Sequence, residues 1–140
     1  MVEVIVALGV LAVMVAGILG SFKYGFFVMQ SVRENQRATQ IMLAKFETIR
    51  LYRWDQVNSN GFIPTTFTDV YDPHGPAGQQ GATYTGTVTV TNCGSPISTT
   101  SYATNMRQCT ISLRWTTGSI PHNRSATTYI ARDGVQNYVY

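Results

Sequence analysis

Proline is missing from the first 63 residues, and all five prolines lie between Pro64 and Pro121. Proline interrupts a helix by removing a backbone donor and crowding the preceding turn, so its absence leaves that stretch free to form one long helix. Charge is also scarce, at 12% of residues, and is absent for 19 residues from Val4 to Phe22. Cysteine occurs twice, at Cys93 and Cys109, with no CxxC or HxxxH spacing beside it. That excludes the common zinc sites and, without CxxCH, covalent haem in its usual form. No GxSxG is present and no phosphate-binding glycine loop follows a strand, so the usual hydrolase and nucleotide signatures are missing. His74 and His122 stand isolated in segments that read as loops. The chain is therefore not expected to be an enzyme, and no cofactor is expected.

The net charge is +3, and its location matters more than its size. Residues 1–53 hold six basic side chains against three acidic ones, whereas residues 54–140 hold four arginines against four aspartates. A nucleic-acid surface requires a dense positive face on the globular part. The second segment is neutral, so no nucleic-acid partner is expected.

What the chain does have is "MVEVIVALGVLAVMVAGILG" at its start. The uncharged run corresponds to roughly 28 Å of helix, close to the hydrocarbon thickness of a bilayer. A cleavable signal peptide would have a basic start and a shorter apolar core. Here the start is acidic and the helical pattern continues beyond the run. Glu3 is the anomaly, because an ionised carboxylate at a membrane position is costly unless paired. Either it sits solvated in the headgroup layer, or it is buried in an assembly where a neighbouring chain supplies a cation.

The segment "SVRENQRATQIMLAKFETIRLYRWDQV" keeps a helical period, with Ala38, Ile41, Met42, Phe46, Ile49 and Tyr52 on one side. One helix of roughly 80 Å is expected over residues 1–53, apolar all round in 1–24 and amphipathic in 25–53. It should end near "RWDQVNSNG". Gly9, Gly17, Gly20 and Gly25 interrupt it, each costing about 1 kcal/mol of helix propensity relative to alanine. They suit either close helix approach or locally loosened helix. Phe22, Tyr24, Phe26 and Phe27 around Lys23 fit an interfacial aromatic belt.

Residues 54–140 read as a small β head. "TYTGTVTVTN" (83–92), "RQCTISLRWTT" (107–117) and "RSATTYIARDG" (124–134) alternate with near period 2 and are rich in β-branched and aromatic residues. The fold class is thus α+β: a long N-terminal helix packed on an antiparallel sheet of three or four strands, which covers Ile41, Met42, Phe46 and Ile49. Cys93 lies just after the first of these strands and Cys109 in the second, and an even count beside a membrane anchor suggests one disulfide stapling neighbouring strands, contributing about 3 kcal/mol. A pair of buried free thiols is the alternative. Asp69 and Asp72 in "TFTDVYDPHG" read as a solvated turn, with a calcium loop as the weaker alternative and no other metal site indicated. The head also carries 16 threonines and an Asn123-Arg124-Ser125 acceptor pattern, which suit ordinary strand and loop usage as well as glycan attachment.

An acidic residue ahead of an uninterrupted apolar helix, "EVIVALGVLA", then an amphipathic extension and a β head, resembles the type IV pilins and the pseudopilins of type II secretion. The likeness is specific over about 30 N-terminal residues and architectural beyond. It implies a precursor cut and methylated by a prepilin peptidase, inserted once through the cytoplasmic membrane, then drawn by inner-membrane machinery into an extracellular filament of identical copies. It implies that Val4, Ile5, Leu8, Leu11, Met14 and Ile18 pack in the filament core, and that Glu3 pairs with the N-terminal amine of an adjacent subunit. Family members carry that glutamate four residues after the mature N-terminus, which implies two further residues ahead of Met1. The helix proline common in the family is absent, so any break would rest on Gly17, Gly20, Ser21 and Gly25. Some related pseudopilins hold calcium in a loop like the one at Asp69 and Asp72. A filament subunit is the reading adopted; a secretion pseudopilin and a membrane-anchored binding module are the alternatives.

Overall fold

The computed structural model describes residues 2–134. Helix α1 spans Val2–Arg50 and helix α2 spans Trp54–Asn58. Strands β1 (Thr66–Val70), β2 (Thr83–Asn92), β3 (Met106–Thr117) and β4 (Ile120–Ala131) form one antiparallel sheet in chain order. The chain divides into two compact units, residues 1–35 and 36–140, so the amphipathic turns of α1 belong with the sheet.

In the second unit, period 3.6 meets period 2. Ala38, Ile41, Met42, Phe46 and Ile49 are buried in a row on α1. The sheet covers them with Tyr84 and Val88 from β2, Ile111, Leu113 and Trp115 from β3, and Ile130 from β4. Antiparallel pairing sets Val88 opposite Ile111 and Gly86 opposite Leu113, so alternate residues of each strand share the inner face. The expected helix face and strand polarity are both present, and the sheet has four strands.

Several boundaries differ from expectation. Helix α1 ends at Arg50 rather than near residue 53: Leu51 and Tyr52 donate to the carbonyls three residues back, tightening the last turn. Trp54–Asn58 then forms its own short helix, started by Gln56 Oε1 accepting from the Arg53 amide at 2.9 Å and seating Val57 in the core. "TFTDV" is strand β1 rather than part of a turn; five residues containing an aspartate give too short an alternation to stand out. Strand β4 begins at Ile120, so His122 lies in a strand and not in a loop. A two-residue loop, Gly118-Ser119, joins β3 to β4, with Gly118 at φ 60°, the left-handed value that a type II′ hairpin places there.

Gly86 shows why the sheet needs a glycine on its inner face. It pairs with Phe67 of β1, and a Cβ built on it would lie 2.2 Å from the Phe67 ring. The ring therefore occupies the space that a side chain would fill, with Lys45 Nζ 4.7 Å from its centroid. Gly86→Ala is expected to lower stability by about 1–3 kcal/mol through overpacking, read as a drop in thermal midpoint. In a Phe67→Ala background the same change should cost much less, because the two residues compete for one volume.

Candidate functional site

The first unit is the N-terminal stretch of α1, continuous as helix through Gly17, Gly20, Ser21 and Gly25. Its backbone bonds run along its own axis, and Ser21 Oγ donates to the Gly17 carbonyl at 2.9 Å. Apart from the helix's own adjacent backbone and chain neighbours, no protein atom lies within 4 Å of where a Cβ would sit on Gly9, Gly17, Gly20 or Gly25. At about 100° per residue, Gly9, Gly17 and Gly20 fall within about 80° of one another, on a side they share with Val6, Val10 and Val13.

The apolar side chains have no cover. Val4 is 61% exposed, Ile5 70%, Leu8 60%, Leu11 56%, Met14 60% and Ile18 56%. Val6, Val10 and Val13 are exposed on the opposite side, so the helix has no polar face. At about 1.5–3 kcal/mol per buried side chain, covering the twelve large apolar residues between Val2 and Leu19 is favourable by on the order of 20 kcal/mol. Water alone is a poor solvent for this surface. Among the described residues this is the one helix long and apolar enough to cross a membrane, which is consistent with single-pass insertion. Phe22, Tyr24 and Phe26 are also exposed, beside Lys23.

Glu3 lies in the first turn of α1 and is exposed. Its charge sits at the positive end of the helix dipole, a favourable but modest interaction. Thus the carboxylate and the six apolar residues named from the sequence lie on one uncovered surface.

The remaining sites resolve differently. The expected Cys93–Cys109 bridge is not formed, and both residues are buried free thiols. Register gives the reason: Cys109 is opposite Val90, and Cys93 lies three residues further on, just past the end of β2 at Asn92. Each such step advances a strand by about 3.3 Å, so straight pairing would hold the two backbones beyond disulfide reach. Asp69 sits in β1 opposite Tyr84 and accepts from the Val70 amide at 2.8 Å. Asp72 accepts from the His74 amide at 3.0 Å in the following turn. Both carboxylates thus serve local backbone donors, and among the described residues no group of three metal-ligating side chains forms.

The outer face of the sheet is formed by residues that local sequence pattern does not bring together. Thr83, Thr85, Thr87, Thr89 and Thr91 all point away from the helix and are exposed. The register aligns Thr66, Thr87, Ser112 and Ser125 in one row across all four strands, and Thr89, Thr110 and Thr127 in another. Thr110 and Thr127 hydroxyls meet at 3.0 Å. The repeated T-x-T of "TYTGTVTVTN" was the visible signal, but the alignment with other strands depends on pairing. Beside these rows an open concavity of about 890 Å³ is lined by Thr83, Thr85, Arg114, Thr116, Pro121 and Asn123, together with Trp115 and His122. On the inner face those two rings stack, with centroids 5.3 Å apart and planes 16° from parallel.

No protein-family model, curated protein or solved structure matches this chain.

Burial pushes the Cys109 thiol from 9.0 up to about 11, because the thiolate loses its water. Between those two pH values the folded chain keeps a proton that the unfolded chain releases, so stability should fall as pH rises from 9.0 towards 11. At pH 8, without reductant, iodoacetamide should leave the native thiols largely unmodified and add two labels once the chain is denatured. Intact mass spectrometry reads both states, and a missing label in denaturant would restore the disulfide.

Proposed function

We propose that the chain is a structural subunit of a type IV pilus-like filament, inserted once in the cytoplasmic membrane before assembly and extracellular afterwards. The observation that carries this reading is the surface of residues 2–22: apolar on every side, uncovered, and headed by a single carboxylate. Lipid alone accounts for the apolar part. It gives Glu3 no role beyond a solvated place in the headgroup layer, whereas in a bundle of identical helices the carboxylate is useful as a register device.

The physical argument is one of differences. A carboxylate withdrawn from water without a partner costs several kcal/mol, and most relative positions of two apolar helices leave it unpaired. The position that brings a neighbour's N-terminal amine to Glu3 removes that cost. Van der Waals packing of Val4, Ile5, Leu8, Leu11, Met14 and Ile18 then supplies affinity with little preference for register, and the ion pair supplies the preference. Partners under this reading are further copies of the chain, an inner-membrane assembly machine and a prepilin peptidase that processes and methylates the N-terminus.

Glu3→Ala and Glu3→Gln should leave a folded, membrane-inserted subunit whose filament yield falls at least about tenfold, as one lost buried ion pair requires. Yield is read by microscopy of sheared appendages and by fractionation of the membrane pool. Filaments at normal yield from either variant would overturn the register role.

A second expectation concerns Gly17–Gly25. Three of these nine residues are glycine and one is serine, so helix propensity is lowest here. In a bilayer, freed backbone groups find no water, which favours the continuous helix. In a packed filament, neighbouring side chains and hydroxyls such as Ser21 satisfy some of them, and the segment is expected to loosen. A filament map with unbroken i to i−4 bonds from Val4 to Arg50 would refute this.

A further inference from the structure

The outer face of the sheet has a composition unlike the rest of the molecule. Its outward positions on β2 are all threonine, and those on β3 and β4 include Gln108, Thr110, Ser112, Arg114, Thr116, Asn123, Ser125 and Thr127. Only Arg114 among them is charged. Its register neighbours are Thr85 on one side and Asn123 on the other, and no ion pair engages it among the described residues. It is exposed and lines the concavity together with Thr83, Thr116 and Pro121.

We propose that this concavity binds an acidic saccharide, a glycan chain with one carboxylate per sugar ring. The guanidinium takes a carboxylate through two parallel N–H donors, the strongest single contact such a surface can offer. Thr85 and Asn123 flank it at about 4.8 Å across strands, and Ser112 and Thr116 at about 6.7 Å along its own strand, a spacing that meets the ring hydroxyls of one sugar. Threonine and asparagine both donate and accept, as sugar hydroxyls do. The Pro121 ring supplies a small apolar patch for the C–H face of the sugar.

Other occupants fit less well. Nucleic acid is held by several phosphate contacts, and this face has one cation. An extended peptide adds in the plane of the sheet along an edge strand such as β4, whereas this concavity opens on the outer face, where side chains and not backbone donors are presented. A lipid surface needs exposed apolar or polybasic residues, and here they are replaced by hydroxyls. The proposal concerns a single head and stands whether or not the chain assembles.

The test uses the full chain in detergent micelles and a galacturonate hexamer, with its methyl ester as the neutral control, by titration calorimetry or ligand-observed NMR. The acid hexamer should bind with measurable affinity below about 10 mM, and the ester at least about tenfold more weakly, the share of one charge-assisted contact. Arg114→Gln should weaken acid binding to the level of the ester with an unchanged circular dichroism spectrum. Thr85→Val, which keeps the strand shape and removes a hydroxyl, should weaken both ligands. The proposal is overturned by no binding of the acid hexamer in that range, by equal binding of acid and ester, by unchanged binding in Arg114→Gln, or by a DNA 20-mer that binds more tightly than the hexamer.

Discussion

The burial of one helical stripe beneath one sheet face is the contact on which the head depends. Ala38, Ile41, Met42, Phe46 and Ile49 recur at helical spacing, and each loses its water to Tyr84, Val88, Ile111, Leu113 or Trp115. Neither surface is stable alone. A single amphipathic helix of this length is marginal in water, and a four-stranded sheet needs its apolar face covered. Their meeting satisfies both, and it also settles the direction in which every other side chain of the sheet points.

That last consequence links packing to surface chemistry. Alternation along β2 places Tyr84, Gly86 and Val88 inward, which forces Thr83, Thr85, Thr87 and Thr89 outward. Pairing then carries the rule to the other strands, and hydroxyls spread over 60 residues of sequence come together in rows. A register slip of one residue would bury the threonines and expose the core. The outer face is therefore as well defined as the core, although none of its side chains is fully buried. Arg114 stands out there because the same alternation leaves no acidic residue beside it.

The N-terminal stretch of α1 follows a different logic. Its hydrogen bonds are internal, so its side chains are free to be selected for what surrounds them. From Val4 to Leu19 all are apolar, and the folded chain supplies no cover. Such a surface suits a lipid or protein environment, and the helix is long enough to cross a membrane. Glu3, in the first turn of the helix, places a single charge at one end of that surface.

Much of this was legible without coordinates. The 19 uncharged residues, the buried stripe from Ala38 to Ile49 and the strand at Thr83–Asn92 follow from local periodicity, which a chain displays wherever it folds. The features that were not legible are those set by distant partners. Strand β1 was missed because five residues are too few to show a period, and its place is secured by pairing with β2. The two cysteines suggested a bridge by count and spacing, but the offset between Val90 and Cys93 keeps them apart as thiols. The need for glycine at position 86 is visible only once Phe67 lies over it. Sequence alone determined which faces are apolar, since that property belongs to each residue and its neighbours along the chain. Register, and with it the company each side chain keeps, was decided only by the tertiary structure, because it arises from contacts between residues far apart in sequence.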